Sequence, residues 1–481
     1  MTFNGKILVI GLGGVSRCTL PLLFKHLPTP PKNYTVLDFA GDEEQVRRVR
    51  EFGAAFVQGR VTRENMGEIL GTYVGAGDLV IDLAWNIGCN DIVQWCHDHG
   101  VLYMNTSVEL WDPYEGAADK PPTERTLYVR HMSMRKMMAG WKDPKGPTAV
   151  LDHGANPGLV QHFTKQALQE IGTKWIAEHK KDARYERIDA ALKGRAWNRL
   201  AHELGVKTIH ISERDTQISH KPKRENEFIN TWSIEGFYEE GTAPAEMGWG
   251  THEKTLPPGS HVHREGPRNQ ICLEQFGINT WVRSWVPCGE ITGMVVRHGE
   301  AFSISEYLTV EQDGVAIYRP TVHYAYCPCD GAINSLHELR MRNYEMQPMQ
   351  RLLNDDIVEG RDELGCLLMG HDYKSWWIGS LLDIHETRKL APGQNATTLQ
   401  VAASILGAVK WMIRNPREGV KLPDALPHEE ILADAKPYLG PFYSKPVDWT
   451  PLDHWKGLAA HGPRPADEDC WQFSTFVARS L

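Results

Sequence analysis

The chain of 481 residues lacks the cysteine pattern of a disulfide-built protein. Its nine cysteines, an odd number, stand at 18, 89, 96, 272, 288, 327, 329, 366 and 470, and no two form a CxxC pair. That spacing excludes a disulfide framework for a chain of this length. His323, Cys327 and Cys329 are the one set that could be drawn as metal ligands. Residues two apart on a strand point the same way and leave no fourth donor, so no metal is expected. Basic charge is not in excess either: 52 Lys and Arg against 61 Asp and Glu give a net charge of −9. A nucleic-acid partner normally requires a basic face, and none is expected. No apolar run reaches bilayer length, since the longest, 399–413, contains Ser404 and Lys410, and no membrane partner is expected. The N-terminus opens on a strand-like pattern with Lys6 rather than on a signal peptide, and internal repeats and low-complexity tracts are missing. The expectation is a reduced, cytoplasmic protein of two or three domains.

What the sequence holds in quantity is 16 Trp and 21 His, residue types suited to cation recognition and proton transfer. The first 150 residues alternate strand and helix patterns. Lys6–Ile10 is a short apolar run of the kind buried on both faces of a parallel sheet, and 34–38, 54–57, 79–83 and 101–104 repeat the pattern. Helical stretches lie between them, at 18–24, 42–51, 64–70 and 91–99. The fold class expected is α/β, a Rossmann-type doubly wound parallel sheet with a second α+β domain. Three regions follow: a Rossmann-type domain over 1–153, a second domain over 154–391, and a C-terminal return over 392–481. The return begins with an amphipathic helix over 394–414, bearing Leu399, Ala402, Ala403, Leu406, Val409 and Met412.

The first strand runs directly into Gly11-Leu-Gly13-Gly14-Val15-Ser16. Gly11 permits a tight turn, Gly13 lets the backbone approach a pyrophosphate, and the following helix N-terminus offers unpaired N–H groups. Asp38 closes the second strand, where an acid binds a ribose 2′-hydroxyl. No arginine follows Asp38 until Arg47, which favours NAD over NADP. The last motif position is Ser16 instead of glycine. Ala84, Asn105-Thr106 and Ala155-Asn156-Pro157 follow later strands, at the carboxyl edge where ligands of open α/β sheets bind, and complete the expected cofactor set. Asn156-Pro157-Gly158 also reads as simple turn chemistry before a helix.

From about residue 158 to 390 the alternation stops. Aromatic and β-branched runs at 271–276, 280–286, 302–310 and 316–326 indicate a domain built on a sheet. The segment 202–253 is chemically dense, with ten acids between Glu203 and Glu253 against five bases. Around Trp232 the acids Glu235, Glu239 and Glu240 interleave with Phe237 and Tyr238. A buried carboxylate needs a partner to offset its desolvation, and in a pocket without Arg or Lys that partner is a ligand cation. Trp232 can add a cation–π face worth on the order of 0.5–2 kcal/mol. On these residues alone the alternative stays open that Trp232 is core packing and the glutamates are solvated strand-edge charges.

Seven motifs together resemble the bacterial homospermidine synthases, a saccharopine-dehydrogenase-like group of Rossmann proteins. They are the glycine motif, Asn105-Thr-Ser-Val-Glu109, Gly154-Ala-Asn-Pro-Gly158, His210-Ile-Ser-Glu213-Arg-Asp-Thr-Gln217, Asn230-Thr-Trp-Ser-Ile-Glu-Gly236, Glu246-Met-Gly-Trp-Gly-Thr-His252 and His323-Tyr-Ala-Tyr-Cys-Pro328. The resemblance runs over nearly the whole chain. It implies condensation of two putrescine molecules into sym-homospermidine and ammonia, with NAD held as a prosthetic group in a homodimer. Glu213, Glu240, Asn156 and His298 would line the inner end of the amine pocket. Glu109 would bind amine or orient its neighbours, Trp232 would stabilise the cationic intermediate, and Glu235 would attract ammonium at the entrance. An aspartate is expected in this family after the strand 79–83, where this chain has Trp85-Asn86, so Asn86 brings no charge to the inner site. His298 in Val296-Arg-His-Gly299 also reads as an exposed strand-end histidine. Two other functions stay in view. A net oxidoreductase of the saccharopine or carboxynorspermidine dehydrogenase type would need Arg214 or Arg297, both readable as surface residues, for an amino-acid carboxylate. An NAD-binding sensor would need no catalytic set at all.

Overall fold

The computed structural model describes residues 3–456 and 462–478. These fall into two compact units, the first comprising Met1–Asp119, Val129–Leu159 and His385–Leu439, the second Lys120–Tyr128, Val160–Ile384 and Gly440–Leu481.

The first unit is built on seven parallel strands. Across the sheet they run Val420–Lys421, Ala149–Val150, Leu102–Asn105, Leu79–Asp82, Ile7–Ile10, Tyr34–Asp38 and Ala55–Gln58. The central strands are apolar without alternation because both faces are covered, and Ile7, Leu8, Val9 and Ile10 are all buried. The order reverses between Ile7–Ile10 and Leu79–Asp82, the switch point where ligands of such sheets bind. The helix Gly14–His26 leaves the first strand and packs against Ala396–Arg414. Asn395 caps that second helix by accepting a hydrogen bond from the Thr398 N–H at 2.8 Å. The helix is 19 residues long, extending past the apolar run 399–413 at both ends, and passes for a membrane span by length and composition alone. Most of it is instead buried inside this unit. The segment returning from the distant C-terminal part ends at Leu439, and Gly440 onward joins the second unit.

The second unit holds a mixed sheet of ten strands. Its centre is the parallel pair Thr208–Asp215 and Thr321–Cys327, with Arg361–His371 antiparallel to the former. The expected strands at 271–276 and 280–286 appear as Gln270–Phe276 and Trp281–Val286, and 316–326 divides into Val315–Tyr318 and Thr321–Cys327. The run 302–310 is a correction, since it lies mostly in the helix Gly299–Tyr307. Residues 299–305 of this helix are all buried, so its sequence shows neither a polar face nor the 3.6-residue rhythm that marks a surface helix.

Candidate active site

At the head of the first sheet the chain turns through Gly11, whose φ of +93° favours glycine. A Cβ there would stand 2.8 Å from the Leu83 carbonyl, so the turn also requires close backbone approach. The Ser16 hydroxyl is buried and donates to the Gly11 carbonyl at 2.6 Å. The expected contribution of Ser16 to a ligand is therefore limited to its backbone, its side chain being used to close the turn. Gly13 differs: a Cβ would meet nothing within 4 Å, and no side chain caps the helix that Gly14 and Val15 begin. Open space over an uncapped 13-residue helix start fits a dinucleotide pyrophosphate. Asp38 accepts the Leu12 and Ala40 N–H groups at 2.5 and 2.7 Å, which holds its carboxylate at the strand end. An arginine does reach this neighbourhood, because Gly59 N–H bonds the Asp38 carbonyl and Arg60 stacks over the Phe39 ring at 4.6 Å. Sequence distance hid Arg60, which arrives from the adjacent strand.

Beneath the later loops lies a buried hydrogen-bond chain. Asp82 accepts from the Ala84 N–H at 3.2 Å and from the Tyr103 hydroxyl at 2.9 Å. Burial pushes the Asp82 carboxyl up to about 7 against these two bonds. Asn105 donates to the Tyr103 oxygen and to Cys89 Sγ, both at 3.2 Å, and its Oδ1 accepts from the Asp152 N–H at 3.0 Å. Its carbonyl accepts from His153 N–H at 3.0 Å. Asn105 is thus a tie between loops, with its side chain spent on protein partners. The tie fixes the entry to Gly154–Gly158, where the two glycines bridge and a Cβ on Gly158 would collide with the Gly154 carbonyl. Ala155, Asn156 and Pro157 stand in that loop, with a cis peptide between Asn156 and Pro157. Thr106 and Glu109 follow Asn105 and are half-buried, and Asn86 has a left-handed φ of 61° with its Oδ1 buried. All of these belong to the first unit.

The second unit gathers Glu213, Trp232, Glu240 and His298. Glu213 sits on Thr208–Asp215 opposite Tyr326 of the parallel strand Thr321–Cys327. Tyr324, two residues before Tyr326, donates its hydroxyl to Glu213 Oε2 at 2.5 Å, and the two tyrosine rings stack 5.0 Å apart. Burial pushes the Glu213 carboxyl up to about 7; the charges of Asp215 and Glu300 add to this, while Tyr324 and His298 oppose it. Asp215 points the same way along the strand and accepts from Thr231 and Gln217. Trp232 follows Thr231 and is half-buried, its indole N–H donating to the Tyr326 hydroxyl at 2.8 Å. Phe237 lies 5.4 Å from Trp232 and 5.6 Å from Tyr326.

His298 is neither exposed nor at a strand end, since it is 6% exposed at the start of the helix Gly299–Tyr307. Its Nε2 meets Glu240 at 3.1 Å and its Nδ1 meets Glu300 at 3.3 Å. Two carboxylates on two ring nitrogens call for both protons. Burial works against the charge, but Glu300 and Glu240 outweigh it and hold the imidazolium well above the usual histidine range. Glu240 lies in the last turn of the helix Ile234–Gly241, and the exposed Glu235 lies in its first turn under the Ser233 cap.

The remaining acids of 202–253 are mostly structural. Glu203 pairs with Arg187, Glu227 with Arg351 and Glu239 with Arg297. Glu246 accepts from Leu127 N–H and Gln270, and Glu253 from Phe473 N–H and Thr321. These acids therefore serve as scaffold, with Glu227, Glu239, Glu246 and the Glu253 side chain buried and Glu203 paired with the exposed Arg187. Arg214 donates to Pro328 and Asp330, and Arg297 is 3% exposed, which corrects its expected surface position. Neither is placed to receive an amino-acid carboxylate. Tyr324, Tyr326 and Glu300 were missed by sequence reasoning. The alternation of two tyrosines in a strand, and an acid two residues after His298, were the available signals. His323 lies against His210 at a ring distance of 4.2 Å, and among the described residues no group of three or more His, Cys, Asp or Glu is placed to hold a metal.

Residues 7–150 match the saccharopine dehydrogenase NADP binding domain, and 154–445 the saccharopine dehydrogenase C-terminal domain. The chain belongs to this saccharopine-dehydrogenase-like class, and the yeast saccharopine dehydrogenase (L-Glu forming) shares its fold at a TM-score of 0.52 and 11% identity over 92% of this chain and all of its own. Within the class the likeness narrows. The chain is 40% identical to a homospermidine synthase of Mesorhizobium japonicum over 99% of its length and 97% of the relative's. It is 39% identical to that of Blastochloris viridis over 99% and 98%. The crystal structure of the Legionella pneumophila homospermidine synthase in complex with NAD superimposes at a TM-score of 0.88 and 35% identity, covering 100% of this chain and 99% of the other. The chain is a member of the homospermidine synthase family.

Since the space over Gly13 is open, Gly13→Trp is expected to fold with the unfolding temperature of the dinucleotide-free parent and to be purified without bound dinucleotide. Retention of the dinucleotide by the folded variant contradicts this cofactor site.

Proposed function

We propose that this protein condenses two putrescine molecules into sym-homospermidine with release of ammonia, using NAD as a resident hydride carrier. The observation that carries the reading is the amine-binding set of the second unit. Carboxylates, tyrosines and a tryptophan face are gathered there, while the nearby arginines are consumed by protein partners. Such a set receives cations, and it offers no group for the carboxylate of an amino-acid substrate.

NAD supplies, when bound, an acceptor that takes hydride from an amine carbon and returns it to the new imine, so net redox is zero. Gly11, Gly13, Gly14 and Val15 would hold its pyrophosphate through backbone, with Asp38 at the ribose. Ala84, Thr106, Ala155, Asn156 and Pro157 would line the remainder of its site. An exposed Glu235 attracts the diamine by charge. Trp232, its indole N–H fixed by Tyr326, presents its ring to the cationic chain.

Hydride loss requires a neutral amine, so a base must first remove a proton from the donor ammonium. Glu213 suits that task, because burial leaves its carboxyl near neutrality where it can both accept and return a proton. His298 does not, since Glu240 and Glu300 keep it charged at both nitrogens. Its role is a fixed cation that orients Glu240 toward the substrate amine. Charge balances across the whole reaction: two diamines bring four positive charges, and a triamine with one ammonium carries four away. The protons taken up by the site are therefore returned to products, and no net uptake from solvent is needed. Glu109 and Asn156 contribute amine contacts in the same proposal. Asn86 contributes a neutral oxygen where a carboxylate would add charge. A cytoplasmic homodimer completes the reading, and sedimentation of the purified protein tests the dimer.

Incubation with putrescine and trace NAD is expected to yield homospermidine far in excess of cofactor. NADH accumulating one-for-one with product overturns the proposal. Trp232→Glu and Glu213→Gln are each expected to lower turnover by on the order of 100-fold or more, judged from the usual weight of positioned acid–base groups. Activity is expected to fall as pH drops through about 7, where Glu213 takes up its proton. Tyr324→Phe removes a donor that favours the charged form, so this acid limb should move to higher pH. A limb that stays in place or moves down assigns the base elsewhere.

A further inference from the structure

We infer that Arg297 and Glu239 are a positioning pair that sets the Glu240–His298 contact, an inference that rests on the reading of that contact as part of the amine site. The two pairs are adjacent in sequence on both sides. Glu239 and Glu240 close the helix Ile234–Gly241, and Arg297 and His298 lead into Gly299–Tyr307. Glu239 binds Arg297, and Glu240 binds His298. One pair is fully enclosed, with side chains 4% and 6% exposed, while Glu240 keeps 21% of its side chain open. Arg297 is fixed from a third direction, donating to the Arg125 carbonyl at 2.7 Å.

Stability alone does not account for such a pair. Two buried charges lose as much in desolvation as they gain from each other, and apolar residues of similar size serve a core as well or better. What the ion pair adds is direction. An eight-residue helix has little stability of its own, and its orientation comes from what it is bound to. This helix carries Glu235 at one end and Glu240 at the other, directly after Trp232 and the Ser233 cap. Arg297 grips its last turn one residue before Glu240 and so fixes how far Glu240 reaches toward His298. Arg297 also neutralises Glu239. Without that, a second carboxylate would stand beside Glu240 and compete for the imidazolium. The charge of Glu246, which also acts on Arg297, is met independently by Leu127 N–H and Gln270.

The test uses Arg297→Met/Glu239→Gln, which removes both charges without leaving either one buried and alone. With putrescine and the NAD-loaded full chain, kcat is expected to fall by on the order of 10- to 100-fold, the usual cost of a small misplacement near the chemistry. KM for putrescine is expected to change by less than about threefold, and the bound NAD to be retained. The double substitution in a Glu240→Gln background should add little further loss, because the pair acts through Glu240. An unchanged kcat, or a full additional loss in the Glu240→Gln background, overturns the inference. If the double variant does not fold, Arg297→Lys decides. It keeps the charge but cannot span Glu239 and Arg125 together, so the same kcat-specific loss is expected and parental kcat refutes the pair. Parental protein that makes no homospermidine sinks the functional reading instead, so the two failures are distinguishable.

Discussion

Taking a carboxylate out of water requires something positive or strongly polar in its place, and the second unit is organised around that requirement. Glu227 is met by Arg351, Glu239 by Arg297, and Glu246 by backbone N–H groups and an amide. Once those are matched, the acids that remain around Trp232 are Glu213, Glu240 and Glu300. Among their protein partners are a tyrosine hydroxyl and one shared imidazolium. Burial raises the Glu213 carboxyl to about 7, and on the proposed reading the same set serves recognition of a diamine and proton transfer.

The first unit obeys a different constraint, the fit of backbone to backbone. Gly11 must pass close to Leu83, Gly158 must close on Gly154, and Gly13 must leave its surface bare. Asn105 joins these demands by tying the loop after its own strand to Asp152 and His153. This buried tie holds the loops in register through protein partners.

Much of this was legible in the sequence where a single local rule governs. Strand, glycines, helix, strand and terminal acid follow one another within 38 residues, and each is set by its own neighbours. The acid-rich stretch around Trp232 was legible as chemistry but not as geometry. Which acids are scaffold depended on Arg187, Arg297 and Arg351, which arrive from elsewhere in the chain. Tyr324 and Glu213 lie 111 residues apart and meet only because their strands pair in parallel. The helix Gly299–Tyr307 failed the periodic test for the opposite reason. Its faces are buried on most sides, so no polar stripe remained to betray its pitch.

The seventh strand of the first sheet, Val420–Lys421, pairs with Ala149–Val150, and the helix Ala396–Arg414 covers Gly14–His26. These partners are separated by more than 200 residues of chain, most of which belong to the other unit. On the ribosome, therefore, the first 150 residues emerge with one side of the dinucleotide helix still bare and one sheet edge unpaired. The second unit's central strands can assemble before that edge is closed. The surface behind the glycine turn is therefore covered only after most of the second unit has been made, and the residues that complete the second core, Phe473 and Phe476 among them, follow later still.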